Sequence, residues 1–449
     1  MTAGMAACLA LAVILNSCTK EKRDVTELLS TVPSSAGAVV GVNVGSILEK
    51  AGYIVNGSEI KPGKGVRSDF STFAKNEDSM LEIFFNADSG TDPTGAIFFH
   101  DANRTYLTFG LSDTSKFKKF IEQKNGASFN TVNGVEVCGN TAMKGAQAWI
   151  LISNREIDPD AIIGYASLSE SQSFLQQPFG EEIKEMEHDM AGWTKLKVLT
   201  RLFLDMQETT MFNLLASTFF EDPDEAVFEF DFLKGKFEAE LKVLNSKGKP
   251  AKYLLPADKI DAATVKSIAK NADIVMAATI SPKLLEKLDN LAQGVWGHLF
   301  DNFKEIIKDV DGTVAIGLSN PDDFDNNLSG VITTTGSPSL LLKSLVSNVA
   351  PMRMDGKLLR FSKGTMNGEI EVAKAADMLK GCSVGIVTDI PAYPLSEISA
   401  IPLLKDAIDD FDLYCLKLDP EDNSVELKIT IESKNKGENI LKSVFSEKK

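Results

Sequence analysis

The chain repeats its own pattern, and that repeat limits its fold more than any other feature. Residues 36–50, AGAVVGVNVGSILEK, share a plan with residues 272–287, ADIVMAATISPKLLEK. Each has a small or acidic start, a strand-like apolar run and then an amphipathic helix. The two begin 236 residues apart. The same separation joins Lys144-Gly145 of MKGAQAWILISN to Lys380-Gly381 of MLKGCSVGIVTD. A third match, FEFDFLKGKFEAELKV from Phe228 and YCLKLDPEDNSVELKI from Tyr414, is 186 residues apart. Three matches in one order imply a tandem duplication, with a first repeat over 31–250 and a second over 258–449.

The separation falls by about 50 residues between the second match and the third, so extra chain is expected in the first half between Arg155 and Val227. Leu199, Leu202, Phe203, Met206, Leu214, Leu215 and Phe219 recur near helical spacing in that interval. The expectation is a helical insert near 165–225 whose stripe faces a core, or else a groove for a partner.

Elsewhere alternation has period two. In FEAELKV (Phe237 to Val243) and SVELKITI (Ser424 to Ile431) every second residue is polar, so these strands should show one face to water. TGAIFFHD and RTYLTFGLS, joined by Ala102-Asn103, read as a hairpin. Helices and antiparallel strands mix without regular βα alternation, which predicts an α+β fold of antiparallel sheet and packed helices in two domains. The segment Leu244 to Asp261, rich in glycine and proline, is the expected boundary.

The first eighteen residues give an address. An apolar core from Met5 to Leu15 ends in Leu15-Asn16-Ser17-Cys18, a lipobox, and is too short for a membrane span of roughly 20 residues. Residues 1–17 then form a lipoprotein signal peptide, Cys18 carries the lipid, and 18–30 is a tether. Behind it stands a globular composition, 43% hydrophobic and 24% charged. The net charge of -16 repels nucleic acid and anionic headgroups, so no nucleic-acid partner is expected. Cys138, Cys382 and Cys415 have no CxxC spacing, and the last two sit in or beside apolar runs, as small buried hydrophobes do.

Chemical motifs mostly fail. Gly57 to Gly65 has one residue too many for a phosphate loop and lacks the serine or threonine for magnesium, so it reads as a flexible loop. Asp323, Asp325 and Asn327 alternate as in a calcium loop, but Leu328 replaces the turn glycine and Thr334 the bidentate glutamate, which leaves a solvated turn. His100, His188 and His298 lie in no metal motif, and no GxSxG elbow is present. No cofactor or metal is expected. With 3 Trp and 6 Tyr against 26 Phe, an aromatic platform for sugars is disfavoured.

The segment STVPSSAGAVVGVNVGSILEKAGY and the later NADIVMAATISPKLLEKL resemble the Bacteroidetes lipoproteins that carry domain of unknown function 4836. The resemblance implies a cell-envelope lipoprotein of the outer membrane without an established activity and supplies no catalytic residues. In that lineage a surface-bound lipoprotein tends to show acidic residues after the cysteine, whereas TKEKRD here is net basic, which favours the periplasmic face. Asp78-Ser79-Met80 resembles the lineage's O-glycosylation site, making Ser79 a candidate acceptor. The reading is a non-enzymatic component that binds an envelope protein or a small ligand. The alternative is a hydrolase or glycan-processing accessory whose site assembles in three dimensions.

Overall fold

In the computed structural model the described residues are 25–57, 59–66, 82–86, 88–152, 155–185, 187–203, 217, 219–254, 258–281, 308–390, 408–421 and 424–446. Eighteen strands form one antiparallel sheet. In the first half these are β1 (Ala38–Val42), β2 (Thr91–Asp101), β3 (Arg104–Leu111), β4 (Asn130–Val132), β5 (Val135–Cys138), β6 (Thr141–Lys144), β7 (Gln147–Leu151), β8 (Met190–Lys195), β9 (Pro223–Leu233) and β10 (Lys236–Asn245). In the second they are β11 (Ile274–Ile280), β12 (Val310–Leu318), β13 (Leu328–Thr334), β14 (Met352–Asp355), β15 (Leu358–Lys363), β16 (Val384–Asp389), β17 (Phe411–Glu421) and β18 (Ser424–Ser433).

Pairing runs β7-β3-β2-β1-β8-β9-β10 from one side and β15-β13-β12-β11-β16-β17-β18 from the other. Both halves trace one path: the first strand lies between the second and the fifth. They meet where β10 pairs with β18, Lys236 opposite Glu432 through Lys242 opposite Glu426. The two strands whose alternation promised a wet face are thus partners, and the halves share one sheet instead of standing as separate domains.

The helices include α1 (Thr26–Ser30), α2 (Val44–Lys50), α3 (Thr114–Asn125), α4 (Pro159–Tyr165), α5 (Gly180–Glu185), α6 (Leu196–Phe203), α7 (Ala262–Lys266), α8 (Leu340–Val349), α9 (Val372–Met378) and α10 (Ile440–Phe445). Because residues opposite one another in a ladder share a face, the pairings sort the helices. On one face Leu29 of α1, Ile162 of α4 and Ile183 of α5 cover Val39, Phe99 and Trp193, while Val265 of α7 and Ala375 of α9 cover Val275, Ala315 and Val387. On the opposite face α2, α3 and α10 cover the first half, and Leu342 and Val346 of α8 pack with Leu359 and Phe361 at the far end of the second.

Several expectations need correction. Ile440, Leu441, Val444 and Phe445 of α10 lie in the core of the first half, so a second unit ending at 449 does not close on itself. The interval 165–225 is not a helical insert throughout, because it contains β8, hydrogen-bonded between β1 and β9. The Lys-Gly match also falls on non-equivalent strands: β7 lies beyond β3, whereas β16 is adjacent to β11 and occupies the place that β8 has in the first half. Part of the extra first-half chain is the β4–β5 hairpin. Residues 204–216 of the apolar stripe lie outside the described residues. The segment taken as a flexible loop is largely a hairpin, Tyr53–Asn56 against Glu59–Pro62, with Ile60 buried.

The hairpin expected around Ala102-Asn103 is present, with Asp101 opposite Arg104. Both loop residues are left-handed, φ 46° and 64°. That turn matches strand twist but penalises a Cβ-bearing residue other than asparagine or aspartate. Ala102→Asn should therefore stabilise the protein by about 0.5–1 kcal/mol and Ala102→Val should destabilise it by about 1–2 kcal/mol; urea unfolding measures both, and equal midpoints would contradict the turn geometry.

Candidate functional site

On the face that carries α1, α4 and α5 over one half and α7 and α9 over the other, a bare saddle of charged side chains crosses the central strands. Glu229, Glu240, Lys428 and Lys417 stand opposite one another in a single row over β9, β10, β18 and β17. Lys242, Glu426 and Asp419 form the next row. The Lys428 ammonium reaches Glu426 at 2.9 Å, Glu240 at 3.3 Å and Asp419 at 3.6 Å, and Lys242 meets Glu426 at 2.6 Å. Glu426 is covered by its two lysines, with its side chain 3% exposed, while Glu229, Glu238, Glu240 and Lys242 stay near 40% exposed.

Burial works against charge on Glu426, yet the hydrogen bonds from Lys242 and Lys428 outweigh it and hold the carboxyl below its ordinary value. Glu432 behaves the same way through Lys436 and Lys374. Lys428 is desolvated too, and its carboxylates still raise it.

At the first-half edge of this saddle His188 lies between two carboxylates, Nδ1 2.7 Å from Asp231 and Nε2 3.4 Å from Glu229. Asp231 is opposed by burial, but the bond and charge of His188 bring it below the ordinary carboxylate value. Beside it Asp189 is buried, taking both oxygens to Lys50 Nζ at 2.6 Å and accepting from Ser46 Oγ at 2.8 Å and the Phe232 N–H at 2.8 Å. Burial lifts the Asp189 carboxyl, and the Lys50 ammonium opposes the lift. Ser383 holds the equivalent place in the second half: Thr279 N–H donates to its carbonyl as Asn43 N–H donates to that of Asp189.

Little of this is catalytic equipment. The two ring nitrogens of His188 face carboxylates, where a triad needs one to face a nucleophile. His100 Nδ1 lies 3.0 Å from Thr105 Oγ1, its cross-strand neighbour, while Asp101 turns to the opposite face and bonds Ser35 and Tyr165. His298, Cys18 and Ser79 lie outside the described residues. Cys138, Cys382 and Cys415 are buried and free, and burial pushes the Cys382 thiol up to about 12 and the Cys415 thiol up to about 11, so neither is a nucleophile near neutral pH. Asp323 is occupied locally, accepting from Asn326 Nδ2 at 2.7 Å. Among the described residues no group of three histidine, cysteine or acidic side chains is arranged to hold a metal ion, and no helix is long and apolar enough to cross a membrane. An apolar cavity lined by Phe232, Phe237, Phe411, Ile431, Ile440 and Val444 sits under α10. The sequence showed the wet faces of β10 and β18 but not Lys50 with Asp189, whose partners are 139 residues apart.

No family model matches the chain. No curated protein matches it either. Among solved structures, crystal form III of TP0453 is similar over 78% of this chain and 96% of that one, at 11% identity and a TM-score of 0.31. Crystal form IV of TP0453 is similar over 50% and 81%, at 14% identity and a TM-score of 0.32.

Two outcomes follow from the site. Asp189→Asn leaves the Lys50 charge buried without its counter-ion and should cost about 3–5 kcal/mol, whereas Asp189→Asn with Lys50→Met should recover much of that loss; denaturant unfolding of both decides it. The lowered carboxyls of Asp231, Glu426 and Glu432 contribute stability that is present above the ordinary carboxylate range, near pH 4, and is lost as pH falls through their lower folded values. The unfolding midpoint should drop below about pH 4 and drop less steeply in Lys428→Met.

Proposed function

We propose that this chain is a lipid-anchored envelope protein that works by binding, built by duplication of one α+β unit. The matching strand paths of the two halves support the duplication. The likeness of 36–50 and 272–287 to lipoproteins with domain of unknown function 4836 rests on the same strand–helix plan. Anchoring rests on the lipobox at Leu15 to Cys18, and placement on the periplasmic face of the outer membrane rests on the net basic TKEKRD.

The observation that carries the binding reading is the saddle. The seven ionisable side chains of its two rows pair with one another or with His188, all but Glu426 remain open to water between two helical layers, and none is a nucleophile paired with a base. Exposed, preorganised charges of both signs give specificity and encounter rate to a protein partner more than they give catalysis. An envelope protein segment with complementary charges is the proposed occupant.

The test joins anchor and saddle. Intact mass of the mature protein should begin at acylated Cys18, carry any glycan at Ser79, and lose the lipid in Cys18→Ser. Crosslinked capture from the envelope should recover a partner that Glu238→Lys with Glu240→Gln loses at a nearly unchanged unfolding midpoint, both side chains being about 40% exposed. A partner retained by that variant would remove the saddle from the function.

A further inference from the structure

The two ends of the sheet are finished differently. β7 and β15 hold the same place in their halves, and each is one arm of a hairpin whose other arm, β6 or β14, lies beyond it. Both hairpins turn on a left-handed glycine, Gly145 at φ 62° and Gly356 at φ 60°. Their ladders also agree: the Leu151 N–H donates to the Asn140 carbonyl in one, and the Ser362 N–H to the Pro351 carbonyl in the other. Because hydrogen-bonded pairs alternate along an antiparallel ladder, Thr141 and Met143 of β6, like Met352 and Met354 of β14, turn their N–H and C=O groups outward. In the first half that outer side is filled, for β5 runs along it with Glu136 opposite Met143 and Cys138 opposite Thr141. In the second half α8 leads directly into β14, which among the described residues pairs with β15 alone. Arg353, Met354 and Asp355 are exposed. An unpaired edge is a template for a further strand.

The side chains beside this edge specify what fits it. Glu136 of β5 pairs with Lys118 at 2.6 Å, and Lys118 follows the buried Phe117 of α3 by one residue. Lys343 follows the buried Leu342 of α8 by one residue and so, at 100° per residue, leans to the same flank, the one towards the edge. The exposed Leu341 and Leu345 stand on the other flank and take no part. On the opposite face of the sheet Arg353 holds the place of Ala142. Neither Lys343 nor Arg353 has an acidic partner among the described residues. Of the acids nearby, Asp355 meets Arg360 at 3.3 Å and Asp309 accepts the Ser339 N–H at 2.7 Å. An added strand therefore meets a cation on each face. Full antiparallel pairing of two copies of β14, Met352 opposite Met354, puts their Arg353 side chains opposite one another, and the edge strand at the other end, β4, carries no acid. Another protein is the better occupant.

We propose that the outer edge of β14 takes an extended acidic segment of another protein as an added antiparallel strand, in the place that β5 has on β6. The backbone of that segment bonds Met352 and Met354, one acid faces Lys343, and the next faces Arg353. The edge lies beyond β13, away from the central strands, so this contact is separate from any at the saddle.

The probe is the peptide TVEEVT, blocked at both ends, titrated by calorimetry into the full-length mature protein. It should bind at least about tenfold more tightly than TVKKVT and weaken as salt rises. Methylating the backbone nitrogen of its first glutamate, which donates to the Met354 carbonyl, should abolish binding, whereas methylating that of the second, which points away from β14, should spare it. On the protein, Met354→Pro removes an outward donor and no bond to β15, so it should abolish binding at a nearly unchanged unfolding midpoint. Arg353→Glu should remove the preference for TVEEVT. Absence of binding up to about 1 mM peptide, equal binding of TVKKVT, or indifference to which nitrogen is methylated overturns the proposal. So does a dimer in light scattering that Met354→Pro dissociates, since the edge would then pair with a second copy.

Discussion

The pairing of β10 with β18 is the constraint on which everything else hangs. Seven residue pairs join the halves, and their side chains divide cleanly: Ala239, Leu241, Leu427, Ile429 and Ile431 to one face, Glu240, Lys242, Glu426 and Lys428 to the other. A slip of one residue would put lysine and glutamate into the apolar layer and leucine into water, so the register is fixed from both sides. The salt bridges at Glu426 and Lys428 serve that register too, since a slipped strand would strip the covered Glu426 carboxylate of its two lysines. Their geometry also places the saddle at the seam, where neither helical layer reaches.

The apolar layer behind the seam is unbroken. One row of ladder partners runs from Val42 through Met190, Phe230, Ala239, Ile429, Leu416, Ile386 and Met276 to Ile316. The core under α2 and α10 and the patch under α8 thus lie on one face of the sheet, at the two ends of one row of ladder partners. The halves differ where it matters for stability: Asp189 and Lys50 bury a charge pair in the first, and Ser383 replaces the acid in the second.

How much of this the sequence disclosed depended on period. Strong alternation made β10, β18 and the β2–β3 hairpin visible, and the positive φ of Ala102 and Asn103 lies where two residues separated two apolar runs. β8 was hidden because MAGWTK is short, with glycine, threonine and lysine in place of a branched apolar run, so the Lys-Gly turn before β7 was matched to the one before β16 instead. The saddle was half visible: alternation shows that a face is wet, but not that two wet-faced strands will lie side by side. Pairs such as Lys50 with Asp189, or α10 with the first core, leave no local periodicity at all. Nor is the exposure of the α8 leucines legible in the sequence, because spacing reports the width of an apolar arc and not the width of its seat.

The placement of α10 bears on the order of events in the cell. Phe445 is fully buried among residues of the first half, and Asn439 bonds the Phe232 carbonyl 207 residues back. A ribosome or export channel delivers α10 after every other element of the first core. The part of the protein made early therefore stays unfinished until residue 445 has emerged, and a chain cut before α10 would lose the closure of its earliest-made core.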